Sequence, residues 1–339
     1  MTIIRPARLS DVPALLALAK KAGRGMTTMP HNETEMKKRI MTSQTAFARG
    51  KKNPPTEIYF MVLEEDGVPV GTTGIFTNLG AERPFYSYRL SHITNQAPDL
   101  DMRTEIDLLS LVNDYHGYAE IGTLFLDEAY RGGGRGRLLS FSRFMLMGAH
   151  QDRFGENVMA EIRGWSDTNE HFPFWEAIGQ KFFDMDFVQA DARSAHDHRF
   201  IADLMPKYPI YVSLLNDEAR RIIGEPHDLS RAAMELLKSQ GFRYRNYVDI
   251  FDGGPSIETP IKNIETIRNT RKVGVEIGTP LSDGEKSLIA NTNLKHYAVM
   301  QGFLKPGADN VMLSTEQAEA LNVEAGDTLH VSPLKGRSS

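Results

Sequence analysis

Apolar and polar positions alternate with two different periods along this chain. Thr2–Arg5 is a short β-type run, after which Ser10 is placed to cap a helix over VPALLALAKKAG. The apolar residues of that segment recur at helical spacing until Gly23 stops it. Glu57–Leu63 and Val70–Phe76 are rich in β-branched and aromatic residues and flank Asp66-Gly67, a pattern that predicts a hairpin. Tyr86–Thr94 adds a strand. Ala119–Leu126 (AEIGTLFL) is a largely apolar strand that runs directly into a glycine-rich turn and a long helix. Val158–Arg163 predicts the next strand and Phe174–Phe183 the helix after it. This order predicts an α/β sheet of mixed direction over residues 1–190.

Beyond Asp191 the pattern weakens. His196–Pro226 is helix-rich and interrupted by prolines, Leu229–Gln240 predicts a helix, and Phe242–Phe251 a strand that stops at Asp252-Gly253-Gly254-Pro255. Residues 191–305 are therefore expected to form a second α+β lobe that completes the site. Val311–Leu334 reads as strand, short helix capped at Ser314 or Thr315, a Gly326-Asp327 turn, and strand. Residues 306–339 are thus expected to be a small β-rich C-terminal module. No repeat of 20 to 50 residues and no low-complexity segment is found.

Composition narrows the class. A chain of 339 residues exceeds what one hydrophobic core usually supports, which predicts more than one lobe. The net charge is −5, so nothing draws the chain as a whole to nucleic acid or to an acidic membrane. An anionic ligand must then be held by a local cluster of positive groups. Cysteine is absent, which removes disulfides, thiolate metal sites and a cysteine nucleophile together. No apolar run approaches the roughly 18 to 20 residues of a membrane helix, and MTIIRPARLSD does not read as a secretory signal. The expectation is a soluble, cytoplasmic protein.

The clearest chemistry lies in Arg131-Gly132-Gly133-Gly134-Arg135-Gly136, between strand Ala119–Leu126 and a helix with Leu138, Phe141, Met145 and Ala149 on one face. Glycines let the backbone turn tightly and bring N–H groups close to a ligand. A helix opens there, and its free N–H groups and dipole favour an anion. Arg131, Arg135 and Arg137 add charge suited to a pyrophosphate. The spacing is not that of a P-loop, and the position in the chain is not that of a dinucleotide fingerprint. R-x-x-G-x-G after the fourth or fifth strand resembles the pyrophosphate loop of GNAT-type acyl-CoA N-acyltransferases.

Further segments make the resemblance more specific. Thr123–Asp127 (TLFLD), Leu138–Met147, Pro173–Phe187, Leu204–Tyr211, Ile222–His227 (IIGEPH) and Gly241–Pro255 (GFRYRNYVDIFDGGP) resemble the bacterial arginine N-succinyltransferase family, as does the N-terminal IIRPARLSDVPALLALAKKAG. The likeness is weaker over Arg83–His116 and after Ser256. It implies a GNAT-like mixed sheet with flanking helices, succinyl-CoA as co-substrate with no permanently bound cofactor, L-arginine as acceptor, and a homodimer or larger oligomer. It also implies that Leu124, with Phe125 and Leu126 beside it, lies along succinyl-CoA through the main chain, and that His227 is the catalytic proton donor. The residue before this histidine departs from the family pattern and is Pro226.

Weaker candidates follow from chemistry alone. Glu161 is placed to accept a proton or hold a guanidinium, Arg163 and Arg243 to pair with carboxylates, and Asp249 and Asp252 to hold a guanidinium. Each is more commonly a structural ion pair. A metal site is not expected: His196-Asp197-His198 is too little for one, and no H-E-x-x-H occurs. G-x-S-x-G is absent as well, which favours direct attack of the amine on the thioester. Two alternatives stay open: a relative that uses ornithine or acetyl-CoA, and a non-catalytic acyl-CoA or arginine sensor.

Overall fold

The computed structural model describes residues 1–23, 26, 28–50, 56–167, 171–187, 189–190 and 199–334. The N-terminal part runs β1 (Thr2–Pro6), α1 (Val12–Ala22), α2 (Glu33–Ala48), β2 (Ile58–Glu65), β3 (Val68–Phe76), β4 (Ser87–Ala97), β5 (Met102–Val112), β6 (Ala119–Leu126), α3 (Arg135–Ala149) and β7 (Asn157–Glu161). Short helices follow: α4 (Pro173–Ala177), α5 (Gly179–Phe183), α6 (Arg199–Leu204) and α7 (Asp217–Ile222), with β8 (Ile210–Tyr211) among them. Then come α8 (Asp228–Lys238), β9 (Arg243–Val248), β10 (Pro255–Pro260) and α9 (Glu265–Arg268). The chain closes with β11 (Arg271–Ile277), β12 (Glu285–Ala290), β13 (Val299–Leu304), β14 (Asn310–Leu313), α10 (Thr315–Leu321) and β15 (Thr328–Pro333).

Among the described residues these strands form one sheet, ordered β14-β11-β15-β12-β13-β1-β2-β3-β6-β7-β10-β9-β4-β5-β8. The expected mixed α+β sheet is what forms, and its direction changes at the centre. β6 and β7 are parallel, whereas β3 meets β6, and β10 meets β7, antiparallel. The β2–β3 turn uses Asp66 and Gly67, both at positive φ (48° and 83°), the conformation a two-residue hairpin needs.

Two helical layers cover the central strands. α1 turns Val12, Leu15, Leu18 and Ala19 inward onto Phe60, Val62 and the Met36 and Ile40 face of α2. On the opposite face α3 is buried from Leu138 to Met147 on nearly every side. It lies between the sheet, the C-terminal strands β12 and β13, and α9, so that even Ser140, Ser142 and Arg143 are buried. A second core, built around Phe174, Trp175, Tyr88 and Val248, holds α4, α5 and α7 against β4, β5 and β9.

Two local expectations change. Asp11, not Ser10, precedes α1; its carboxylate accepts from the Arg8 N–H (2.7 Å) and pairs with the buried Arg5, a partner 6 residues away. The helix expected over Phe174–Phe183 is two short helices broken at Ile178. A Cβ at Gly179 would fall 2.2 Å from the Trp175 ring, and the break carries the chain around that ring. β5 and the strands β11 to β13 carry no clear alternation in the sequence and form only as partners of neighbours. The division drawn at 305/306 falls between β13 and β14, inside this C-terminal group of strands.

Candidate active site

The centre of the sheet opens. β6 and β7 pair only at Ala119↔Val158 and Glu120↔Met159; beyond that register both continue, but apart. β6 stays bound to β3 through Leu126, and β7 to β10 through Glu161. Past Glu120, therefore, the side of β6 that faced β7 has no neighbouring strand among the described residues to satisfy its main-chain groups. A bulge sits in the same stretch: between Thr72 and Gly74 the register shifts, Thr123 takes φ 54°, and its carbonyl accepts from the Thr72 hydroxyl (2.8 Å). The extra residue re-aims the strand. Leu124 and Leu126 pack on the α3 side, and Phe125 on the α1/α2 side.

The strand ends at Asp127, whose carboxylate accepts from the Ala129 N–H and pairs with Lys21 of α1. The chain then makes the turn Gly132-Gly133-Gly134, all at positive φ (106°, 61° and 89°), and enters α3 at Arg135. A Cβ at Gly132 would meet nothing within 4 Å, so this backbone is open to an approaching group. Arg135 donates to Glu65 at 2.9 Å and is tied to the end of β2. Arg131 bridges to Glu128, and both it and Arg137 are exposed. The turn thus puts open glycine backbone at a helix start, where free N–H groups and the helix dipole in general favour an anion.

The opposite wall is woven from distant segments. After β7 the chain passes Arg163-Gly164-Trp165, and Gly164 forms an antiparallel bridge with Pro226. The bridge uses His227 N–H to Arg163 C=O (2.8 Å) and Trp165 N–H to Glu225 C=O (3.1 Å). Pro226 is at the position that donates nothing, so its missing N–H costs no hydrogen bond. Behind the bridge lies the β9–β10 turn. Asp252 accepts from Gly164 N–H (2.7 Å) and Gly254 N–H (2.8 Å), and Gly224 N–H donates to Gly253 C=O. Burial and the neighbouring Asp249 push the Asp252 carboxyl up to about 8. Asp249 itself accepts from the backbone of Phe251 and Asp252, and so shapes this turn.

His227 thereby stands at the end of β7 as the N-cap of α8. Its Nδ1 accepts the Leu229 N–H at 3.2 Å, which leaves the hydrogen of a neutral ring on Nε2. Burial lowers its pKa, and the nearby Arg163 guanidinium lowers it further. Arg163 donates weakly to Ser166 (3.4 Å), and its buried Nε finds no acceptor among the described residues. Glu161 closes β7. Its register places it on the same face as Glu120, toward Tyr115, whose hydroxyl pKa is raised by burial and then by the acidic groups around it. Arg243 is exposed on β9, and His196–His198 lie outside the described residues.

Sequence reasoning missed Glu120. It is 8% exposed, faces Arg39 of α2, and is pushed up to about 7 because burial outweighs the attraction of that arginine. The Arg39 guanidinium donates to the Thr28 carbonyl (3.0 Å) and covers the Phe76 ring. The signal was present: one carboxylate within an otherwise apolar strand. Such a group exchanges a proton near neutral pH. Among the described residues no group of His, Asp or Glu is placed to hold a metal ion, and no helix is long and apolar enough to cross a membrane.

A parallel pair that splays at the sheet centre, with a glycine turn and a helix start at the tip of one strand and helices on both faces, is the architecture of GNAT-type N-acyltransferases. Two family models match, one described as arginine N-succinyltransferase beta subunit over residues 2–266 and one as its C-terminal domain over 270–333. An arginine N-succinyltransferase of Escherichia coli is 40% identical, covering 98% of this chain and 97% of its own length. The protein so named from Shigella flexneri matches equally over the same spans. The structure of arginine/ornithine succinyltransferase subunit AI from Pseudomonas aeruginosa superposes with a TM-score of 0.90 at 32% identity, over 99% of both chains. The chain belongs to the arginine N-succinyltransferase family, and it is an acyltransferase.

Proposed function

We propose that this enzyme transfers the succinyl group of succinyl-CoA to the α-amine of L-arginine, giving N2-succinyl-L-arginine and CoA. The observation that carries this is the gap beyond Glu120↔Met159, which runs from the Arg163–His227 wall along β6 to the glycine loop. Succinyl-CoA lies along Leu124, Phe125 and Leu126 with its pyrophosphate on the loop from Arg131 to Gly136. The neutral amine attacks the thioester carbon, the C–S bond breaks, and a proton reaches the sulfur. Main-chain N–H groups on the unpaired side of β6 stabilise the oxyanion. His227, its Nδ1 held by the helix, hydrogen-bonds the departing sulfur through Nε2–H, and the proton that the attacking nitrogen sheds as the amide forms ends on that sulfur. Arg163 offers its unsatisfied N–H groups to a carboxylate of the acyl group, because a charge-assisted pair fulfils what burial leaves wanting. Glu120 or Glu161 takes the proton released by the ammonium. Asp249 acts through the turn that holds Gly164.

The matching family is described as a beta subunit, which supports an enzyme that works as an assembly of more than one chain. The test is release of free thiol from succinyl-CoA or acetyl-CoA with L-arginine, L-ornithine or no acceptor. Rapid release with succinyl-CoA and L-arginine alone is expected. A preference for ornithine, in line with the name of the Pseudomonas relative, moves the acceptor; a preference for acetyl-CoA removes the role of Arg163. CoA binding with no release from any pair leaves a sensor.

A further inference from the structure

The third glycine of the loop is crowded from an unexpected side. A Cβ on Gly134 would come within 3.1 Å of Leu334 Cδ2, 3.2 Å of Gln301 Nε2 and 3.3 Å of Lys286 Nζ. Lys286 lies on β12, Gln301 on β13, and Leu334 directly follows β15; β12 and β13 also pack along α3. Lys286 Nζ donates to the carbonyl of Gly133 at 2.5 Å across 153 residues of sequence. Leu334 N–H donates to the Lys286 carbonyl (2.9 Å), so the end of the described chain is pinned where it covers Gly134.

We propose that the C-terminal strands are the back wall of the pyrophosphate loop and that Lys286 is its positioning residue. No cis peptide occurs among the described residues, so the Gly133 C=O and the Gly134 N–H point in opposite directions. Drawing that carbonyl toward Lys286 turns the Gly134 N–H away from the C-terminal strands, toward the open side of the loop. It also keeps a carbonyl dipole from facing an anion. Glycine peptides have no side chain to hold this choice, and a free loop would lose it to conformational entropy. The lysine thus makes part of the cradle before the ligand arrives.

This inference rests on the acyl-CoA reading above, and the experiment separates the two. CoA affinity is measured by calorimetry on the full chain, and steady-state kinetics with succinyl-CoA and L-arginine, for Lys286→Met, Lys286→Gln and Lys286→Arg. The methionine variant is expected to weaken CoA binding and raise KM for succinyl-CoA about tenfold, the worth of one hydrogen bond to a charged group. KM for arginine and the melting temperature should hold. The glutamine variant, which keeps a donor without the charge, should stay within about threefold, and arginine should restore binding. Methionine without effect overturns the proposal, as does glutamine as weak as methionine, because the lysine would then act as a charge on the ligand. A methionine variant that does not fold leaves the glutamine and arginine variants to decide. If the unaltered chain binds no CoA, the acyl-CoA reading fails first and takes this inference with it; if it binds CoA and the methionine variant binds equally, only this inference fails.

Discussion

The two walls of the central opening are built in different ways. One wall is a single continuous segment: β6, its bulge at Thr123, the glycine turn and the start of α3 follow one another from Ala119 to Gly136. The other joins Arg163–Trp165, Gly224–His227 and Asp249–Gly254, which are distant in the chain and meet through backbone hydrogen bonds and the Asp252 carboxylate. A contiguous wall can be altered residue by residue with local effects. A woven wall transmits a change at one crossing to the side chain that stands on another.

The comparison is sharpest at His227. Replacement by alanine removes the proposed donor while the bridge, which uses only backbone, remains. A drop of about 10²- to 10⁴-fold in kcat is expected, with little change in KM for succinyl-CoA. A kcat within a factor of three of the original would remove the histidine from the chemistry. Gly164→Ala strikes the weave itself. Its Cβ would sit 2.4 Å from the Asp252 carbonyl oxygen, where nothing flexible can yield. A loss of about 1–3 kcal/mol in denaturant unfolding is expected, together with roughly a hundredfold loss of kcat from a displaced His227. Full activity at reduced stability would show that the wall does not position the histidine.

Arg163→Met tests what that wall reads. It should raise KM for succinyl-CoA roughly ten- to a hundredfold and leave any turnover of acetyl-CoA unaffected, since acetyl has no carboxylate. An equal loss with both donors would assign Arg163 to holding His227. The smallest effect is one of pH. The Asp252 carboxyl is raised from 3.8 to about 8 in the folded chain. Its contribution to stability is therefore full at low pH and is lost as pH rises through about 8. His150, His227 and His330 are lowered from 6.5, so their contributions are present above that value and fade only below it. Between about pH 6.5 and 8 the carboxyl acts without them, and Asp252→Asn should flatten the decline in unfolding free energy over that range. A variant with the same slope would place the shift elsewhere.

The contiguous wall was legible because its signals are local. The apolar run of β6 was read with its observed bounds, Ala119–Leu126, and the glycines that follow require the positive φ angles they adopt. Glu120 was overlooked although it breaks that run, because a carboxylate in a strand acquires meaning only once burial and Arg39 are known. For His227 the resemblance named the residue. Neither its cap on α8 nor its attachment to Arg163 could be read from IIGEPH.

Periodicity, turn chemistry and the glycine run thus determined the hairpin, the central strand and the glycine turn that opens α3, since each depends on neighbours within a few residues. Tertiary structure alone decided the rest: where β6 and β7 part, which strands join at the C-terminal edge, and which lysine holds the Gly133 carbonyl. Those outcomes depend on backbone groups finding partners tens to hundreds of residues away, and such groups are the same at every position of the chain.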